Sequence, residues 1–176
     1  MYSRILVPID GSASAIGGFD EAIRLAQQTC ATLRVVRVID QLSHVTGFES
    51  CSAYPGYIVP HLCERGECLL ASASRRAARQ GVVVESKLYE TGGAHLADVV
   101  LDDAHAWGAD LICMSTHGRH GMARFLLGNE AEEIARRASV PLLLVRETTP
   151  AGNAAPAADP AVDLQRDALL SAPVTA

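Results

Sequence analysis

The sequence predicts a doubly wound α/β domain, a five-stranded parallel sheet in the order 3-2-1-4-5 with helices on both faces. Three observations carry this. Short apolar and β-branched runs alternate with longer stretches of helical periodicity, the pattern of strands joined by crossover helices. Several of these runs are apolar on consecutive positions, as strands covered on both faces should be. The chain has 176 residues, 49% hydrophobic and 20% charged, which is enough for one sizeable core and too apolar for a disordered chain.

The first strand is residues 4–9 (RILVPI), followed at once by Asp10-Gly11-Ser12. A helix over 13–31 places Ile16, Phe19, Ala22, Ile23 and Ala26 at helical spacing, with Ser12 as its N-cap. Gly17 and Gly18 fall inside it. Each costs about 1 kcal/mol against Ala, so this helix must be held by packing or begin late. The second strand is 33–39 (LRVVRVI), and residues 40–59 form a link of mixed Gly, Pro, Ser and Tyr whose length points to a functional segment. Then come a helix over 60–80, a strand over 82–89 (VVVESKLY), a helix over 96–107 and a strand over 110–115 (DLICMS). A fourth helix over 129–138, ended by the Val140-Pro141 step, leads to the last strand, 141–146 (PLLLVR). Sheets of this kind bind ligands outside the carboxyl ends of their strands, where the winding reverses. Here that point lies between the first and fourth strands, so the segments after Ile9 and Ser115 should face each other.

Residues 1–147 account for this domain. From about residue 148 the chain turns to small residues and proline (TTPAGNAAPAADPAV), and 148–176 reads as a disordered tail in which only 163–170 (DLQRDALL) suits two helical turns. The 15 basic and 20 acidic residues give a net charge of -5 and a pI near 5.6, no footprint for nucleic acid or an anionic membrane. The apolar run near the N-terminus is interrupted by Pro8 and is too short for a signal segment or a membrane span. Five cysteines, odd in number and without a C-x-x-C pair, suit a reducing compartment, so a cytoplasmic location is expected.

At the carboxyl end of the first strand, Asp10 suits a ribose hydroxyl, an adenine edge or a metal, and equally a turn that caps the next helix. After the fourth strand, residues 115–129 (STHGRHGMARFLLGN) carry His117, Arg119, His120 and Arg124 and no acidic residue. Glycines there allow backbone N–H groups to turn toward an anion, and Gly128-Asn129 adds a helix N-terminus, so the stretch reads as a phosphate cradle or as a long surface loop whose glycines serve turns. The one lysine, Lys87, lies in the third strand, and neither G-x-x-x-x-G-K-[ST] nor G-x-G-x-x-G occurs. P-loop NTPase chemistry is thereby ruled out, and the missing glycine fingerprint argues against a dinucleotide-binding dehydrogenase.

Pro8-x-Asp10-Gly11-Ser12, the run 107–114 (WGADLICM), and Ser115-Thr116-His117-Gly118 followed after nine residues by Gly128-Asn129 together resemble the universal stress protein family over about residues 2–147. Within it they resemble the ATP-binding branch, whose loop reads G-x-x-G-x9-G-[STN]. The resemblance implies ATP, with Mg²⁺, as ligand and a nucleotide-dependent role in the stress response. It places Pro8 and Asp10 along the adenosine, the Val38 main chain at the adenine, Met114 and Ser115 at the pocket floor, and Gly118, Gly128, Asn129 and the Glu130 N–H at the phosphates. It also implies a homodimer through the edge strand from Pro141 to Val145, whose apolar edge invites a second copy, with cover by the tail as the alternative. Two residues depart from the pattern. Ser115 stands where the motif has glycine, a disadvantage if the position needs positive φ or close backbone approach to the ligand, although its small hydroxyl could also hydrogen-bond. Glu130 brings a carboxylate next to the phosphate-binding pair, and its side chain is expected to point outward.

Other signals are weaker. His117-Gly118-x-His120 has the central residues of the nucleotidylyl-transferase motif in the wrong order and follows the wrong strand. His44, Cys51, His61, Cys63 and Cys68 gather loosely around the link and second helix, as a metal site or simply as small buried residues. No general base is aligned for an attacking water, so ATP hydrolysis is expected to be slow. A hydrolase or transferase of the same fold and a nucleotide-free interaction scaffold are the competing functions.

Overall fold

The computed structural model describes residues 1–40, 59–116 and 128–146. Its elements run β1 (Arg4–Pro8), α1 (Ala13–Thr29), β2 (Thr32–Asp40), α2 (Val59–Arg79), β3 (Val84–Thr91), α3 (Leu96–Trp107), β4 (Leu111–Ser115), α4 (Asn129–Arg137) and β5 (Leu142–Val145). The sheet has five strands, all parallel, in the order β3-β2-β1-β4-β5.

Alternation along each strand builds the two layers. Ile5, Val7, Leu33, Val35, Leu111 and Cys113 face α1 and α2 through Phe19, Ile23, Leu70 and Ala73. Leu6, Val36, Val38, Ile112 and Met114 face α3 and α4 through Ala97, Val100, Ala131 and Ile134. Every residue of β4 is buried, which accounts for its unbroken apolar run. Full burial of one such aliphatic side chain stabilises by about 1.5–3 kcal/mol, so the two layers supply the main favourable contribution.

Helix α1 runs from Ala13 through both glycines without a break. Ser12 is its N-cap and its Oγ accepts from the Ala15 N–H at 3.2 Å. Packing explains the tolerance of Gly18, since a β-carbon there would meet the backbone of Ser115 at 3.0 Å and of Met114 at 3.3 Å. The helix stops at Thr29, two residues short of the sequence expectation, because Cys30 takes a left-handed φ of 56°.

The third strand begins at Val84, not Val82, and extends to Thr91. Gly81, at φ 76°, turns the chain, and Val83 is 67% exposed. Pairing with β2, from Leu33↔Val84 to Asp40↔Thr91, sets these limits, not apolarity.

A polar cluster joins β2, β3 and α3. The side chain of Asp103 is 1% exposed, and its Oδ1 receives Tyr89 Oη at 2.6 Å, Arg34 Nη1 at 3.1 Å and Lys87 Nζ at 3.3 Å. Arg34 also bonds the Glu85 carboxylate at 2.6 Å and lies 4.6 Å from the centre of the Trp107 ring. Among the described residues no helix is long and apolar enough to cross a membrane. All of the link but its end residues 40 and 59, and the whole tail 148–176, lie outside the described residues.

Candidate functional site at the carboxyl ends of β1 and β4

Strands β1 and β4 are neighbours with Leu6 opposite Ile112, and β1 pairs β2 with Pro8 opposite Val36. Carrying both registers forward puts Asp10 level with Val38 on one side and Thr116 on the other. The switch point therefore brings together three strand ends that are far apart in sequence.

Asp10 occupies the turn between β1 and α1. Its Oδ1 accepts the Ser12 N–H at 2.8 Å across Gly11, whose φ is 83°. That bond is the turn role anticipated for an Asp-Gly-Ser sequence. It holds the half-buried carboxylate at the mouth of the sheet. Pro8 is partly buried, and Val38 and Met114 are each 8% exposed. Met114 faces α3 and α4, whereas Ser115 lies on the α1 face, so these two neighbours line opposite layers.

Ser115 sits in ordinary strand backbone, since Cys30 is the one non-glycine residue at positive φ among the described residues. A side chain at this position therefore carries no backbone strain. On its α1 side the Ser115 backbone is closely approached by Gly18.

The chain leaves the described region after Thr116 and returns at Gly128, where the Gly128 N–H donates to the Thr116 carbonyl at 3.0 Å. This bond pins the start of α4 to the end of β4. Gly128 is the N-cap, in extended conformation, and its carbonyl takes the Glu132 N–H at 2.9 Å. Its own N–H is thus engaged, and the amides left without intrahelical acceptors are those of Asn129, Glu130 and Ala131. Gly118, with His117, Arg119, His120 and Arg124, lies outside the described residues.

Glu130 is surface-exposed, yet its carboxyl is crowded at the N-terminus of α3. Burial first and the Glu133 carboxylate second push it above the ordinary carboxylate range, while the His95 imidazole and the Ala97 N–H pull it back.

Thr116, Ala131 and Gly18 are parts of this corner that sequence reasoning does not single out. Gly18 is visible in the sequence, but only as a residue that weakens a helix. Of the suggested metal cluster, His44 and Cys51 lie outside the described residues, and no three His, Cys, Asp or Glu side chains converge as metal ligands among the described residues.

In parallel doubly wound sheets the switch point, occupied here by the Asp10 turn and the N-terminus of α4, is the usual place for a ligand, so the fold defines the class of α/β protein to which the chain belongs. The universal stress protein family model matches residues 1–146, and the chain belongs to that family. A putative universal stress protein of Staphylococcus haemolyticus is 32% identical over 146 residues, covering 82% of this chain and 85% of that protein. A solved family member from Burkholderia pseudomallei is 31% identical, covers 82% of this chain and 96% of its own, and superposes with a TM-score of 0.65. Two more distant structures share the fold. One is a universal stress protein in complex with cAMP, 24% identical, with a TM-score of 0.57 over 84% of this chain and 98% of that one. The other is the Archaeoglobus fulgidus protein in complex with dAMP, 19% identical, with a TM-score of 0.55 over 81% and 97%.

Proposed function

We propose that the chain binds ATP at the β1–β4 switch point and acts as a nucleotide-dependent regulator in the stress response, with slow hydrolysis at most. The supporting observation is the 3.0 Å bond from the Gly128 N–H to the Thr116 carbonyl, which holds the first turn of α4, with the amides of Asn129, Glu130 and Ala131, at the end of the strand that neighbours β1 and its Asp10 turn. Helix N-termini favour anions through their unpaired N–H groups and their dipole. The complexes of two fold neighbours with adenine nucleotides support the same ligand class.

In this reading Pro8, Asp10 and the Val38 main chain flank the adenosine, with Met114 and Ser115 beneath it. Gly118, Asn129 and the Glu130 N–H receive the phosphates. Gly128 shapes the helix start, because its own N–H is engaged. Asp10 is the carboxylate of the turn that would help hold Mg²⁺, which would supply neutralising charge to the phosphates. The domain of residues 1–147 suffices for binding, the location is cytoplasmic, and β5 is the surface on which a second copy pairs. All four residues of β5 are only partly buried, as an edge awaiting a neighbour would be.

Denaturing the purified protein and identifying any released nucleotide, followed by ATP titration of wild type and Asp10→Ala, tests this. Weaker binding by Asp10→Ala supports the ligand role, and equal affinity returns Asp10 to its turn alone.

A further inference from the structure

The sheet ends in two strands, β3 and β5, and each turns one row of backbone groups away from its neighbour. In β3 the Val83 carbonyl accepts the Leu33 N–H at 2.9 Å, so the odd-numbered residues bond toward β2 while Val84, Ser86 and Leu88 turn their amides and carbonyls outward. In β5 the Pro141 and Val145 carbonyls accept from the Ile112 and Thr116 amides, each at 3.0 Å, so Leu142 and Leu144 point outward. Among the described residues no strand lies beyond either edge. Laying β5 of one copy against β3 of the next would continue the parallel sheet head to tail, a contact that repeats without closing. Pairing β5 with β5 closes after two copies.

The two edges differ in the side chains that flank those backbone groups. Strand β5 is Leu142-Leu143-Leu144-Val145, apolar on both faces. On β3 the side chains toward α3 are Glu85, Lys87 and Tyr89, and those of Glu85 and Lys87 are 49% and 47% exposed. Neither charge hangs loose in solvent. The Glu85 carboxylate bonds Arg34 at 2.6 Å, and the Lys87 ammonium is drawn inward, to 3.3 Å from the buried Asp103 carboxylate and 4.6 Å from the centre of the Tyr89 ring. Charges pinned to the inner face of an edge strand keep their water only through its open side, and a strand added there would strip it.

From this contrast we infer that Glu85 and Lys87 close the β3 edge to strand addition, so that self-association is confined to β5 and stops at a pair. The one lysine of the chain thus serves assembly. Asp103, besides joining β2, β3 and α3, holds that lysine where it blocks a neighbour. The β5 pairing of the proposed function enters only through the size of the wild-type assembly, and the closure of β3 stands without it.

Light scattering over a concentration series, with circular dichroism to confirm folding, compares three full-length proteins: wild type, the double variant Glu85→Val with Lys87→Val, and that double variant carrying Ser86→Pro. Valine keeps strand propensity and removes the charge, while Asp103 retains Arg34 and Tyr89. Proline at 86 removes an outward N–H and leaves the ladder to β2 intact. Wild type should not exceed a pair at any concentration. The double variant should grow with concentration to at least about twice the wild-type mass, and Ser86→Pro should reverse that growth. Lys87→Thr alone, with and without Ser86→Pro, carries the same comparison if the double variant does not fold. Wild type growing beyond a pair, charge-free variants that keep the wild-type mass, or growth that Ser86→Pro leaves untouched would each overturn the inference. A wild type that stays single while the double variant grows supports the closed β3 edge and removes the β5 pairing.

Discussion

Gly18 of α1 and Ser115 of β4 are in backbone contact: a β-carbon on Gly18 would stand 3.0 Å from the Ser115 amide nitrogen. The glycine that weakens the helix is thus the one that lets it lie on the strand. Cys113 reinforces the contact, with its Sγ donating to the Gly18 carbonyl at 3.5 Å. Because Ser115 ends the strand that leads into the proposed phosphate loop, the seat of α1 also sets the floor of the site.

Gly18→Ala should therefore destabilise the fold, by about 1–3 kcal/mol, because the neighbour it meets is backbone and has little room to yield. Gly17→Ala should do the opposite, by up to about 1 kcal/mol, since a β-carbon there would meet no described atom within 4 Å and alanine is the better helix former. Urea unfolding of the two variants checks the pair, and equal shifts in both would contradict the packing account.

Asn129 is the first residue of α4, and Gly128 before it has φ -62° and ψ 146°, a conformation that tolerates a following proline. Asn129→Pro should fold as well as wild type while removing one amide from the proposed phosphate site. Several-fold weaker ATP binding at unchanged melting temperature is the expected result. Asn129→Ala, which keeps the amide, separates the backbone contribution from the side chain. Equal ATP affinity in wild type and Asn129→Pro would take this amide out of the site.

Removing Asp103 should cost about 3–5 kcal/mol as Asp103→Ala, because Arg34 and Tyr89 then lose a buried shared acceptor. Glu85 is half exposed, so Glu85→Ala should cost under about 1 kcal/mol although it lies closer to Arg34. Comparable losses in denaturant midpoint would contradict the distinction by burial.

Burial, helped by the Glu21 carboxylate, pushes the Cys113 thiol from 9.0 up to about 12. The native state holds this proton more tightly than the unfolded chain. Its contribution to stability is therefore whole below pH 9 and is lost as pH rises toward 12. Cys113→Ala should show a smaller loss across that window. Native-state alkylation near pH 8 should modify the exposed Cys30 and Cys68 well before Cys113, as peptide mapping would report.

What is legible in the sequence depends on the distance between partners along the chain. Periodicity locates all nine described elements, since runs such as Leu111–Ser115 are buried on both faces and advertise it in composition. The start of β3 is misplaced by it because Val82 and Val83 look like strand, while the pairing of Val84 with Leu33 decides where the ladder begins. Partners far apart along the chain leave no signal: Arg34 and Asp103 are separated by 69 residues, and Gly18 and Cys113 by 95. At the site, the Asp10 turn and the α4 N-terminus can be read locally. The engagement of the Gly128 amide by Thr116 cannot, because it depends on how the intervening loop returns.

Nucleotide binding at the switch point is put to the sharpest test by calorimetric titration of ATP into the full-length wild-type chain, with the Asp10→Ala and Asn129→Pro proteins alongside. Saturable binding by wild type below millimolar nucleotide, weaker in both variants, is the expected result. No binding by folded wild type at millimolar ATP would contradict it.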